Sequence, residues 1–118
     1  MATLTDTAAN AALDAMGALF VQLHTADPTN TGTVAVSVAF PGRAAAGLGA
    51  AAARARSNTA DITTPAGATV AETVSHVSLW TAATGGSCSW RGPLTAAKAV
   101  ALGEKFRIAA GALVVTLN

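Results

Sequence analysis

Residues 76–117 read HVSLWTAATGGSCSWRGPLTAAKAVALGEKFRIAAGALVVTL, and this stretch decides the fold. Val77 and Leu79 stand two positions apart, before a glycine pair breaks the run. The same two-residue period of apolar side chains returns in residues 106–108 and 113–117. Apolar residues at every second position, with glycine turns between the runs, are typical of antiparallel β-strands. This third of the chain therefore predicts an antiparallel sheet.

The rest of the chain adds one helix and further short strands. Apolar residues recur at helical spacing over residues 1–19 and predict an N-terminal α-helix, capped by Thr3 or Thr5. Apolar and small residues alternate over residues 33–40, which predicts a strand there. Residues 41–58 are rich in Ala, Gly and Arg and predict a loop or an extended arm. The chain is thus predicted to be mainly β, a small antiparallel β-sandwich or barrel of about seven strands with one N-terminal α-helix.

Length and composition predict one domain with few charges on its surface. The chain has 118 residues, so residues 1–118 are expected to form a single domain in which residues 20–118 make the β part. Charged residues make up 11% of the chain, against about 25% in typical soluble domains. We therefore expect neighbouring subunits to cover part of its surface.

The same composition argues against several classes of function. The net charge of +1 supplies no field that would attract nucleic acid. One cysteine and two histidines cannot supply the usual four ligands of a structural zinc site, and we predict neither a metal nor a cofactor. No apolar run approaches the roughly 20 residues that span a bilayer, so no membrane partner is expected. The first twenty residues lack Lys and Arg, unlike a secretory signal peptide, so synthesis in the host cytoplasm is expected.

A hydrolase site is the first chemical alternative. His24 and Asp27 could act as a base and its orienting carboxylate, with Ser37, Ser75 or Ser78 as nucleophile. Such a triad requires three residues to converge in space, and nothing in their spacing requires it. The histidines are more simply interpreted as half-buried or solvated side chains. We therefore predict no enzymatic activity and no catalytic residues.

A nucleotide site is the second chemical alternative. Residues 47–52 read GLGAAA and match the glycine pattern that lets a backbone approach a pyrophosphate. No second strand-helix-strand unit follows, and such matches arise by chance in a segment rich in Ala and Gly. Cys88 stands in phase with Trp90 and is interpreted as a small buried apolar residue.

Five residues are candidates for a protein interface. Arg54 and Arg56 lie beside each other in the Ala-rich segment and could pair with carboxylates of a neighbouring subunit, and Arg43 opens the same segment. Trp80 and Trp90 flank the glycine turn and could belong to the core, to an interface or to a sugar-stacking pair.

Several phrases, in order along the chain, resemble a family of small tailed-bacteriophage and prophage virion proteins that are often labelled tail fibre proteins. The phrases are LHTADP (23–28), GR (42–43), SNTA (57–60), VSHVSLW (74–80), AATGG (82–86), GPLT (92–95) and FRIAAG (106–111). The resemblance implies a non-enzymatic structural protein of the virion. It also implies partners among the virion proteins.

The sequence lacks the features of a fibre shaft, and this bears on the place of the protein in the virion. A fibre shaft needs a long coiled coil or a repeated β unit, and the sequence has neither. We therefore expect a capsid decoration (cement) subunit that binds across shell subunits and stabilises the head. The alternatives are a tail fibre or minor tail protein, a receptor- or carbohydrate-binding module, and more remotely a small hydrolase. The expected partners are further copies of the chain, in a trimer or larger ring, and the major capsid protein or tail proteins.

Overall fold

A computed structural model describes residues 4–117 of the chain, which form one helix and eight strands. The helix, α1, spans Asp6–Ala15. The strands are β1 Phe20–His24, β2 Ala44–Ala45, β3 Ala55–Ser57, β4 Ile62–Thr63, β5 Glu72–Trp80, β6 Cys88–Val100, β7 Arg107–Ile108 and β8 Val114–Thr116. Every strand pairing is antiparallel. The prediction of a mainly β fold with one N-terminal helix is confirmed, with eight strands where about seven were expected.

A capping hydroxyl starts helix α1, and a glycine follows its end. The Thr5 hydroxyl accepts a hydrogen bond from the N–H three residues later at 3.2 Å, which makes it the N-cap. Thr3, the other predicted cap, lies outside the described residues. Ala9 and Leu13, four positions apart, are buried on one face of the helix. Gly17 follows with φ of +65°, a left-handed conformation that ends helices and suits glycine.

Four strands form the main sheet, in the order β2-β1-β5-β6. In the β1–β5 pair, Val21 lies opposite Leu79 and Leu23 lies opposite Val77. Residues opposite each other in a sheet share a face, so these four buried side chains form one apolar surface. The two-stranded ribbons β3–β8 and β4–β7 pack over this face. The result is a small two-layered β-fold.

The core lies between the main sheet and the ribbons, and α1 closes one side of it. Leu13 of α1 belongs to the same buried cluster as the strand residues. Phe40 and Phe106 meet edge to face with ring centroids 6.2 Å apart. The ribbons and their connections supply Ile62, Ile108, Leu113 and Val115.

Residues 33–40 do not form the strand that their alternation predicts. Only Val36 makes an isolated bridge to β1. The Glu72 carboxylate accepts hydrogen bonds from the Ser37 hydroxyl and, at 3.0 Å, from the Val38 N–H. Two backbone hydrogen bonds to β1 and the residue after it remain in this segment, but Ala35 has a left-handed φ of +54°, which interrupts the extended run, and Val38 is left 65% exposed. The strand prediction for this segment is therefore wrong.

Strand β6 is long and irregular. It pairs with β5 from Cys88 opposite Trp80 and lies at the edge of the sheet. Pro93 lies opposite His76, and the next pair is Lys98 opposite Val74. Between these two pairs, β6 therefore has more residues than β5. The extra residues of β6 form a bulge, which with the proline makes this edge poorly suited to pairing with another strand. No helix within residues 4–117 has the length and apolar character needed to cross a membrane.

Candidate functional site

His24 lies at the centre of a closed polar network. The side chain has no solvent exposure, and its Nε2 lies 2.7 Å from the Ser78 hydroxyl. Its Nδ1 lies 2.9 Å from the Val34 carbonyl, which can only accept, so Nδ1 carries the proton and Ser78 donates to Nε2. Trp80 donates its indole N–H to Ser78 at 2.8 Å. Burial lowers the pKa of His24, so the network favours the neutral imidazole.

The hydrolase triad considered from sequence is not assembled. Asp27 accepts hydrogen bonds from the Thr29 N–H at 2.9 Å and from Arg91 at 2.8 Å, and not from His24. The backbone hydrogen bond is the largest cause of the lowered pKa of Asp27, with the Arg91 charge adding to it. Ser78 does contact His24, but it is fully buried and also bonded to an indole, so no substrate reaches its hydroxyl.

The other residues considered for chemistry also have structural contacts. Ser37 bonds the Glu72 carboxylate, and Ser75 donates to the Thr25 carbonyl at 2.9 Å. Residues 47–52 precede strand β3 rather than a helix, so they lack the helix N-terminus that a dinucleotide site uses. Cys88 is half-buried, and burial raises the pKa of its thiol.

Arg56 fastens the end of helix α1. It is 8% exposed, and its guanidinium donates to the carbonyls of Leu13 and Gly17, each at 3.0 Å. It also donates to the Gly49 carbonyl at 2.9 Å. The carbonyls at a helix C-terminus carry partial negative charge, so the buried cation is compensated there. The donors of Arg56 are thus engaged within its own chain.

Arg54 joins the two ends of the described chain. Its guanidinium donates to the Leu117 carbonyl at 3.1 Å and to the Leu4 carbonyl at 2.6 Å. It also pairs with the exposed carboxylate of Asp6 at 3.1 Å. A contact of Arg54 with a neighbouring subunit, as expected from sequence, stays a prediction and would have to coexist with these bonds.

Arg43 holds the turn between β5 and β6. Its guanidinium carbon lies 3.9 Å from the centre of the Trp80 ring, a cation–π contact. It donates to the carbonyls of Ala82 at 2.8 Å and Gly85 at 2.6 Å. This arrangement fixes the glycine turn against the main sheet.

The two tryptophans lie on opposite faces of the main sheet. Trp90 pairs with Leu79 and therefore shares its face, whereas Trp80 is the neighbour of Leu79 in sequence and faces the other way. Trp80 is 7% exposed, and Trp90 is half-buried and donates its indole N–H to the Thr116 carbonyl at 3.3 Å. The two rings therefore cannot stack on one sugar together.

An apolar cleft of about 290 Å³ opens between the main sheet and the β4–β7 ribbon. Among the described residues that line it, none is ionisable, and two threonines supply the only side-chain polar groups. No local pattern in the sequence marks this cleft. The residues that line it are Val21, Leu23, Ala39, Phe40, Pro41, Gly42, Ala44, Ile62, Thr64, Pro65, Ala66, Gly67, Thr69, Phe106 and Ile108.

Exposed apolar side chains adjoin the segments that line this cleft. Val38 is 65% exposed and directly precedes the lining residue Ala39. Val70 is 43% exposed and directly follows the lining residue Thr69. Leu102 is 72% exposed, and the Gly103 N–H next to it donates to the Ala68 carbonyl at 2.8 Å. The segments that form the cleft thus also carry exposed apolar side chains. Such surfaces in soluble proteins mark sites of protein contact.

Comparison with known proteins agrees with the resemblance noted in the sequence. The family model described as "Podophage GP4 fiber I protein gp80" matches residues 2–116, which is nearly the whole chain. No curated protein matches the chain.

Proposed function

Because the chain belongs to the Podophage GP4 fiber I protein gp80 family, we propose that it is a structural subunit of a bacteriophage tail fibre or its attachment. The match covers residues 2–116 and is the observation that carries the proposal. A family of fibre proteins implies a virion-associated structural protein. It favours the fibre alternative over the capsid decoration expected from physics.

The contact surface supports a role in assembly. No described residue that lines the apolar cleft is ionisable, and the segments that form it also carry the exposed side chains of Val38, Val70 and Leu102. Covering these groups would remove apolar area from water, which is the main driving force of association. The polar clusters around His24 and Arg56 are closed within the chain and serve the fold.

The chain supplies a compact unit of a fibre rather than its shaft. It contains no long helix and no repeated β unit in residues 4–117, so the length of a fibre has to come from other chains or from stacking. We propose that the unit assembles with itself into a trimer or a larger ring, and that this assembly contacts tail proteins. No catalytic step is involved.

Imaging of labelled particles tests this proposal. A short peptide tag inserted in the exposed turn at residues 83–87 would be located on purified virions by electron microscopy. We expect label on the tail or its fibres, in copies that follow the symmetry of the tail. Label spread over the shell would instead establish capsid decoration. Purified particles that carry no label at any position would refute a virion role.

A further inference from the structure

We propose that the apolar cleft is a socket for the Leu102 side chain of a second copy of this chain. This rests on the proposed function only in so far as the chain assembles with itself. It adds the contact that joins one copy to the next.

Leu102 is presented outward by a well-braced loop between β6 and β7. The Ala101 N–H donates to the Glu104 carboxylate at 2.6 Å, and the Glu104 N–H donates back to the Ala101 carbonyl at 3.0 Å. The Gly103 N–H donates to the Ala68 carbonyl at 2.8 Å. The exposure of Leu102 therefore does not come from a loose loop, and little further ordering is needed when it binds.

The walls of the cleft select an aliphatic or aromatic occupant. A charged or amide side chain placed there would lose its hydration and find only the hydroxyls of Thr64 and Thr69. Leu102, at 72%, has the largest exposed fraction of the large hydrophobic side chains in the described residues. It is therefore the best-suited occupant that this chain offers.

The contact has to be made between copies. Leu102 does not line the cleft of its own chain, although Gly67 of that cleft packs against the backbone of Gly103. The Leu102 side chain (the knob) and the cleft (the socket) are thus neighbouring but different surfaces. In a contact between different surfaces, each copy inserts its Leu102 into one neighbour and accepts the Leu102 of another. All of these surfaces are occupied only when the copies close into a ring.

Neither charge repulsion nor strand pairing at the outer edge of β6 competes with this contact. The net charge of +1 gives little repulsion between identical subunits. The outer edge of β6 carries Pro93 and a bulge, so association by strand pairing is disfavoured there.

The first experiment compares the association of the purified full chain with that of two variants by analytical ultracentrifugation. Leu102→Asp should weaken each contact at least about 10-fold, because the contact loses the burial of a leucine side chain and has to desolvate a carboxylate. The matched control is Val34→Asp, since Val34 is 47% exposed and lies over the opposite face of the sheet, beside His24. The control should associate like the parent chain, and circular dichroism should show all three folded.

The second experiment blocks the socket. Ala66 lines the cleft and is exposed, so Ala66→Trp can fill the mouth without displacing the core. Alone, this variant should also associate at least about 10-fold more weakly than the parent chain. Mixed with Leu102→Asp, it supplies an intact knob to an intact socket, so the mixture should form dimers and nothing larger.

Several results would overturn the inference. These are a monomeric parent chain, a Leu102→Asp chain that associates like the parent, or a mixture of folded variants that stays monomeric. Strong binding of an apolar dye by the assembled parent chain would show an open cleft, which points to a small apolar ligand and also overturns it. A tail location in the imaging experiment would leave the proposed function standing in each case.

Discussion

Replacement of Arg56 by methionine should destabilise the fold far more than loss of an exposed arginine. The Arg56 guanidinium is buried, and it donates to carbonyls at the end of α1 and to the Gly49 carbonyl, 2.9–3.0 Å away. Methionine keeps most of the aliphatic volume and removes every donor. Helix α1 would lose the cation that compensates its C-terminal carbonyls.

The expected loss follows from the groups left behind. The Gly49 carbonyl loses its hydrogen bond to a charged group, whereas the Leu13 carbonyl keeps the hydrogen bond from the Met16 N–H at 3.3 Å. Carbonyls near the surface, such as that of Gly17, can regain water. We therefore expect a loss of about 1.5–3 kcal/mol, the value of hydrogen bonds to a charged group. That is a large part of the about 5–15 kcal/mol that stabilises a typical domain.

Urea unfolding followed by circular dichroism measures this change. With a slope of about 1.5 kcal/mol per molar, the midpoint should fall by roughly 1–2 M. The control is Arg107→Met, which removes an exposed ion pair with Asp61 and should change stability by less than about 1 kcal/mol. Two protein concentrations separate unfolding from dissociation of subunits. Equal midpoints for the two variants would refute the role given to Arg56.

Three further predictions follow from individual sites. Between pH 7 and 5 the free energy of unfolding should fall, because His24 takes up a proton near pH 6.5 in the unfolded chain, whereas burial lowers its pKa in the folded chain. His24→Gln should make the free energy of unfolding less dependent on pH in this range. Gly67→Ala should lower the melting temperature, at a cost of roughly 1–3 kcal/mol, because its Cβ would overlap the Gly103 carbonyl, whereas Gly42→Ala meets no atom within 4 Å and should match the parent. Acrylamide should quench the half-buried Trp90 readily, and Trp90→Phe should leave only weakly quenched emission.

Alternation in the sequence predicted the strands whose apolar residues face the core. Val77 and Leu79 in β5, and the periods that became β7 and β8, all bury one face against the other layer. The same rule failed over residues 33–40, because Ala35 has a left-handed φ of +54° and because the carboxylate of Glu72, distant in sequence, bonds the Val38 N–H. A hydrogen bond between distant residues leaves no trace in a local pattern.

The candidate site was predictable only in part. The arginines and tryptophans stood out in a chain poor in charge and in large side chains, but their contacts did not. Arg56 bonds carbonyls that any residue could supply, so no sequence pattern marks its partners. The cleft is assembled from short segments as far apart as Val21 and Ile108, and each reads as an ordinary apolar position.

The sequence by itself determined the fold class, the N-terminal helix and the fibre protein family, because these depend on local periodicity, capping residues and ordered phrases. Tertiary structure decided which face each tryptophan takes, how His24 is enclosed and where the apolar cleft opens. These features depend on which strands become neighbours and in which register. A shift of one residue would turn Leu79 away from the core and bring Trp80 into its place, so pairing over long distances, rather than composition, defines the surface offered to a partner.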